Sequence, residues 1–220
     1  MLKGRICLST VINEDDDVGQ LLDRICVKRP DLVEFRTDRL HRFSILEDIA
    51  QKKKFPAIIT DKTKRGLKDR NVLLEATSAG FEFVDVDLFS DITDGELRKV
   101  RANGTELITS FHDSAATPSI DALRRVLSRA MKRGGNICKI VTTAKEPKDN
   151  LTILNFLEEN SRKVRLVSFA MGPIGIPSRI LSPLFGSEFT FAALSEQSST
   201  APGQLSIDDL RHVWGLIGLQ

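Results

Sequence analysis

The sequence predicts an α/β protein, a single-domain (β/α)8 TIM barrel over residues 1–220, and three observations point there. Short β-rich runs alternate with amphipathic stretches from one end to the other, which demands a parallel sheet. The alternation repeats eight times at a period of roughly 27 residues, with no composition break or Pro/Ser-rich linker to divide it. No GxGxxG or Walker-type loop follows any strand, so an open nucleotide-binding sheet lacks its usual sign. Periodicity does not show closure, and a doubly wound open sheet is the competing architecture.

Taken in order, Arg5–Thr10 is a first strand. The run Asn13-Glu14-Asp15-Asp16-Asp17 suits the first turn of a helix, where the macrodipole favours negative charge, and Val18, Leu21, Leu22 and Ile25 follow at helical spacing. Leu32–Asp38 is the second strand. Ser44–Lys53 is its helix, with Ser44 as cap and Glu47 completing a capping box. Ala57–Thr60 precedes a helix over Asn71–Gly80 that its glycine closes. Phe83–Phe89 pairs with a helix at Asp94–Ala102, Glu106–His112 with Ser119–Arg133, and Ile137–Thr142 with Pro147–Asn160. Val164–Met171 leads to a helix around Ser178–Leu184, and Glu188–Leu194 to a last helix opened by Ser206 and running through Trp214.

Composition narrows the function. A net charge of +2 and a pI near 8.4 argue against a nucleic-acid binder that works through bulk charge. No apolar run approaches the roughly 18 residues that span a membrane, and Met1–Arg5 lacks a signal-peptide core. Cys7, Cys26 and Cys138 have no CxxC spacing and sit among apolar residues, as buried thiols of an intracellular protein do. His41, His112 and His212 show no zinc-binding spacing.

Barrel interiors are normally filled with branched apolar side chains, so ionisable residues at alternating strand positions carry information. The run Ile137-Cys138-Lys139-Ile140-Val141 puts a lysine on the face of Ile137 and Val141. Desolvation lowers a lysine pKa, and a neutral amine attacks carbonyls. Read alone, that lysine is equally well a strand residue reaching to water. The second strand sets Glu34, Arg36 and Asp38 on one face, against Val33 and Phe35 on the other. His112 ends the fifth strand, next in order to the lysine strand, and an imidazole suits proton transfer near neutrality. Asp85 and Asp87 share a face of the fourth strand, where they support the lysine or the strand-two arginine. After the seventh and eighth strands, where barrels often bind anions, come Gly172–Arg179 and Ser198–Gln204. Arg179 has the fork to clamp a carboxylate or phosphate, with Thr200 and Gln204 to add hydrogen bonds.

Several of these pieces occur together. Glu34-Phe35-Arg36-Thr37-Asp38, Phe111-His112-Asp113, Ile137-Cys138-Lys139-Ile140, Met171 through Arg179, Phe185-Gly186-Ser187 and Ala201-Pro202-Gly203-Gln204 follow in that order. Their order and spacing resemble the type I 3-dehydroquinate dehydratases of the shikimate pathway, with the compact length of archaeal-type members. The resemblance covers nearly the whole chain. It implies a cytoplasmic, homodimeric Schiff-base lyase of aromatic amino acid biosynthesis that needs no metal or organic cofactor. By that resemblance Lys139 forms the imine and His112 is the general acid/base. Glu34 and Arg36 contact 3-dehydroquinate from strand two, and Arg179 and Gln204 hold its carboxylate and hydroxyls. Thr200 stands where many members have serine. Lys62 stands where a substrate-contacting arginine is frequent, which keeps the charge and loses the fork. Arg65, in the loop Thr63-Lys64-Arg65-Gly66, falls about where a glutamate often supports the histidine, and Asp113 and Glu34 are the acids left near it. Residues 62–70 have the makeup of a lid over an anionic substrate.

Two rivals compete with that reading. A class I aldolase acting on a phosphosugar also uses a barrel lysine, but wants a phosphate site of backbone amides. A catalytically silent barrel used as a scaffold leaves the polar lining of four strands without a purpose. Which of Glu34, Arg36, Asp85 and Asp87 tunes the lysine is open at this level.

Overall fold

Strand and helix follow from the two periods of the sequence. A computed structural model describes residues 4–62 and 67–219, excluding the side chains of residues 67–70. In it β1 (Ile6–Val11), β2 (Leu32–Arg36), β3 (Ala57–Thr60) and β4 (Phe83–Asp87) alternate with α1 (Val18–Lys28), α2 (Ser44–Lys52), α3 (Leu67–Ala79) and α4 (Asp94–Ala102). The second half repeats the pattern with β5 (Glu106–His112), β6 (Ile137–Thr143), β7 (Leu166–Met171) and β8 (Thr190–Ala193). Its helices are α5 (Ile120–Lys132), α6 (Lys148–Asn160), α7 (Ile176–Leu181) and α8 (Ile207–Leu216).

The strands run in the parallel order β7-β6-β5-β4-β3-β2-β1-β8. The two ends of that ladder come back together. Glu188 donates its backbone N–H to Leu166 at 2.9 Å, and the rings of Phe169 and Phe191 meet across the seam at 5.9 Å. The result is a nearly closed (β/α)8 barrel.

Alternation sorts the strand residues into two layers. Ile58, Ile108, Ile137, Val141, Val167 and Phe169 pack inside the barrel, and Val33, Phe35, Val84 and Val86 join the layer under the helices. At the N-terminal ends of the strands, side chains take over from the ladder. Asp31 accepts from Ile6 N–H at 2.8 Å, Glu82 from Ala57 at 2.9 Å, and Asn136 from Leu107 at 2.9 Å. That end is tied shut, which leaves the opposite end for a site.

Several boundaries differ from the sequence expectation. The box at Ser44 and Glu47 does not form: Phe43 occupies the cap position without a side-chain hydrogen bond. Glu14 instead accepts from the N–H groups of His41 and Arg42 at 2.7 and 2.9 Å, and so sets the approach to α2. Glu14 therefore is not a first-turn residue of α1, which Asp17 caps through Gln20 N–H. β4 stops at Asp87 because that carboxylate turns back to Phe89 N–H at 2.8 Å. β2 stops at Arg36 rather than Asp38, α3 starts at Leu67 rather than Asn71, and α7 starts at Ile176 rather than Ser178. Cys7 and Cys138 are buried as expected, whereas Cys26 is half-buried.

Candidate active site

Lys139 faces the barrel interior with Ile137 and Val141 and is 5% exposed. Its Nζ lies 3.1 Å from Glu34 Oε1 and 3.0 Å from Asp85 Oδ2, and 4.2 Å above the ring of Phe191. Burial pulls the lysine pKa down, as the sequence reading assumed, but Asp85 and Glu34 outweigh it and the pKa ends up raised. The resting group is an ammonium. This corrects the expectation of a neutral amine, and the reason is that two carboxylates answer the desolvation.

Both carboxylates are themselves held ionised. Burial works against Glu34, yet Lys139 and then Arg36 bring its pKa below the ordinary value, and Ser9 and Thr60 donate to it at 2.5 and 3.0 Å. Burial likewise works against Asp85, and Lys139 and Lys62 outweigh it and lower the pKa. Ser110 and Lys62 donate to Asp85 Oδ1 at 2.5 and 2.7 Å, and Lys62 also reaches Ser110 Oγ at 2.8 Å. Arg36 lines the same cavity but pairs with Asp38, two positions along its own strand end. Its Nε is buried without a partner.

Strand order brings His112 in. Ser110 is in register with Lys139, so His112 stands one rung further toward the C-terminal mouth, beside Val141. Burial, then the Lys62 and Lys139 charges, push its pKa well below the usual imidazole value. The neutral imidazole keeps a lone pair for a proton, and the burial and charges that keep it neutral also weaken it as a base. Asp113 does not support it, because its carboxylate accepts from the N–H groups of Ala115 and Ala116 at 2.9 and 3.0 Å. Glu34 is engaged by Lys139. Arg65 and its neighbours in the loop expected to act as a lid lie outside the described residues.

The other wall comes from the segments after β7 and β8. Arg179 is 1% exposed, with its guanidinium carbon 4.2 Å over the ring of Phe169 and Nη1 3.4 Å from Phe191 O. Its Nε and Nη2 are buried without partners, and burial drags its pKa down to about 10. A buried cation with unfilled donors on a cavity is prepared for an anion. Gln204 accepts from Thr200 N–H and Oγ1 at 2.7 and 3.0 Å, which turns its amide NH2 away from those contacts. Thr200 Oγ1 also lies 2.9 Å from Ser9 Oγ, the donor to Glu34, so the two walls are joined through hydroxyls. Gly203, at φ +71°, backs onto Gly172 so closely that a Cβ would sit 2.4 Å from Gly172 O.

Glu34, Arg36, Lys62, His112, Lys139, Arg179, Thr200 and Gln204 thus border one cavity of about 640 Å³. Asp87 lines it too but serves its own turn. Sequence reasoning missed Ser9 and Ser110, because a small hydroxyl at an inward strand position looks like filler. Of the two partners expected for Asp85, the lysine and the strand-two arginine, it meets the lysine directly at 3.0 Å.

This fold and lining define a (β/α)8 barrel enzyme with an internal lysine, equipped to hold an anion. Residues 6–220 match the family model described as type I 3-dehydroquinase. The chain is 33% identical to the 3-dehydroquinate dehydratase of Thermodesulfovibrio yellowstonii over 229 residues, with 100% of both chains covered. It is 36% identical to that of Methanocaldococcus jannaschii, covering 98% of this chain and 100% of the relative. The crystal structure of 3-dehydroquinate dehydratase from Geobacillus kaustophilus superposes with a TM-score of 0.89 at 26% identity, over 98% of this chain and 91% of that one. The chain belongs to the type I 3-dehydroquinase family.

Proposed function

We propose that residues 1–220 act as one catalytic domain, and that this 3-dehydroquinate dehydratase converts 3-dehydroquinate to 3-dehydroshikimate through an imine on Lys139. The observation that carries this is the buried Lys139 ammonium held between Glu34 and Asp85 on a cavity that also presents the unfilled donors of Arg179. Arg179 takes the substrate carboxylate. Gln204 and Thr200 take the neighbouring hydroxyls, and Glu34 and Arg36 line the opposite side.

The first chemical need is a free amine. His112 takes the Lys139 proton in an uphill step, since its own pKa is lowered while that of Lys139 is raised, and the net charge of the cluster does not change. Lys139 then adds to the C3 ketone, and His112 returns the proton to the carbinolamine hydroxyl, which leaves as water; an iminium remains and His112 is neutral again. That cation takes the place of the ammonium between Glu34 and Asp85, so the carboxylates that hold the proton also favour the electron sink. His112 removes a C2 proton to form the enamine and returns a proton to the departing C1 hydroxyl, which leaves as water. General acid–base help of this kind is worth about 10²–10⁴-fold. Water finally hydrolyses the imine and frees Lys139.

Lys62, expected at the substrate, here has its ammonium on Asp85 and Ser110. A phosphosugar aldolase would want backbone amides around a phosphate. Arg179 with Gln204 fits a carboxylate better, and family membership agrees. The family likeness also supports a homodimer, and a cytoplasmic location accords with the lack of any helix, among the described residues, long and apolar enough to cross a membrane. Enone absorbance on mixing the protein with 3-dehydroquinate, and a borohydride-trapped adduct mapped to Lys139, are the expected results. Turnover without any adduct on Lys139 would sink the imine route.

A further inference from the structure

One buried carboxylate serves two ammonium groups in this cavity. Asp85 presents Oδ2 to Lys139 at 3.0 Å and Oδ1 to Lys62 at 2.7 Å, and Ser110 steadies Oδ1 at 2.5 Å. We infer that Lys62 is a positioning residue for Lys139: it holds Asp85 from the far side, answers part of that carboxylate's charge, and thereby keeps the Lys139 proton labile. The inference rests on Lys139 as the reactive amine.

The charges around Lys139 show why. Glu34 faces it from β2, Asp85 from β4, Lys62 from the segment after β3 and His112 from β5. Arg36 is engaged by Asp38, and Arg179 lies against Phe169 on the other wall. With both amines protonated, Lys62, Lys139, Glu34 and Asp85 sum to zero charge. Without Lys62 the same space holds two carboxylates and one ammonium. The Lys139 proton is then held harder on two counts. The repulsion from a second cation is gone, and Asp85, no longer shared, turns its whole charge on Lys139. Asp85 is also freed to swing, since only Ser110 then holds Oδ1. His112 feels the same change, because Lys62 is the foremost charge that keeps it neutral.

A residue that merely touches substrate would behave differently. Its loss would raise KM and leave the ligand-free lysine as it was. A reagent that reports the free amine without any substrate separates the two. Formaldehyde with cyanoborohydride methylates free amines, and Lys139 borders an open cavity. Below the lysine pKa the labelling rate follows the free-amine fraction, so one pH unit in pKa reads as about a ten-fold change in rate.

The experiment labels the ligand-free wild type, Lys62→Met, Lys62→Gln and Lys62→Arg at fixed pH and follows the Lys139 peptide by mass spectrometry. The exposed Lys148 serves as internal reference. Lys62→Met and Lys62→Gln are expected to slow Lys139 labelling by about ten-fold or more, and Lys62→Arg by less than about three-fold. Circular dichroism confirms folding; should the methionine variant fail to fold, the glutamine variant carries the test. Unchanged or faster labelling of Lys139 in a folded neutral variant overturns the inference. No dehydroquinate is used, so the labelling result stands apart from the turnover assay: slowed labelling in the variants, with a wild type that turns over without an adduct on Lys139, upholds the Lys62 role and removes the imine route.

Discussion

Lys139 and Glu34 are separated by 105 positions in the chain and by 3.1 Å in space. Each is costly to bury alone, and each makes the other's charge tolerable. Asp85 repeats the arrangement from the other side at 3.0 Å. The pairing opposes the first step of an amine reaction and favours the cation that follows. Affinity of the site is thus placed on the intermediate rather than on the resting nucleophile.

Replacing Lys139 by Met is expected to abolish the borohydride adduct and lower kcat on dehydroquinate by on the order of 10⁴-fold or more. Lys139→Arg is not expected to rescue it, since a guanidinium keeps its proton at any working pH. Single-turnover measurements with mass spectrometry of the trapped protein check both. An adduct on another lysine in the Met variant would move the chemistry elsewhere.

The histidine makes a prediction about stability. His112 has its folded pKa well below its unfolded value near 6.5. Below that pH the unfolded chain takes up a proton that the folded chain refuses, so this stability is present above about pH 6.5 and is lost as the pH falls. Urea midpoints measured at neutral pH and near pH 5 are expected to drop in the wild type. The drop should be smaller in His112→Asn. Equal drops in the two proteins would show that His112 titrates normally in the fold.

Arg179 should set function against stability. Its Nε and Nη2 have no partners in the fold, and leaving such groups buried is unfavourable. Arg179→Met is expected to unfold at the same temperature as the wild type or higher, with KM for dehydroquinate raised by at least about 100-fold, the scale of a charge-assisted, bidentate contact. Calorimetry and steady-state kinetics on one preparation decide it. A lower unfolding temperature would mean that the stacking on Phe169 matters more than the unfilled donors.

Gly203 carries the contact between the two anion-facing loops. At φ +71° a side chain is strained, and its Cβ would collide with Gly172 O at 2.4 Å. Gly203→Ala is expected to cost about 1–3 kcal/mol and to raise KM more than it lowers kcat, because Thr200 and Gln204 move while Lys139 stays. Thermal unfolding and the KM-to-kcat split provide the check. A kcat effect alone would detach this loop from substrate binding.

The chain order of local signals already held the fold and much of the site. A side chain's face on a strand depends on a period of two, which is local geometry, so Lys139 with Ile137, and Glu34 with Arg36, were placed without any tertiary information. The eight-fold alternation pointed to a barrel without showing its closure, and the parallel pairing of sequential strands makes neighbours of His112 and Lys139. Local rules failed where a distant group competes. Ser44 and Glu47 have the spacing of a capping box, yet Glu14, thirty positions earlier, sets the approach to that helix. Ser9 gave no sign, because nothing local reveals that its hydroxyl meets Glu34.

The sequence by itself determined an eight-fold strand–helix alternation, a lysine on a strand face with Ile137 and Val141, a histidine ending the preceding strand and an arginine after the seventh strand. Only the tertiary structure decided the state of that lysine. Burial alone would have lowered its pKa, and alternation could not say which acids reach it. Charge interactions scale with inverse distance, and the distances that matter join β2, β4 and β6 across the barrel. Those distances make Lys139 an ammonium and Asp85 a carboxylate shared with Lys62.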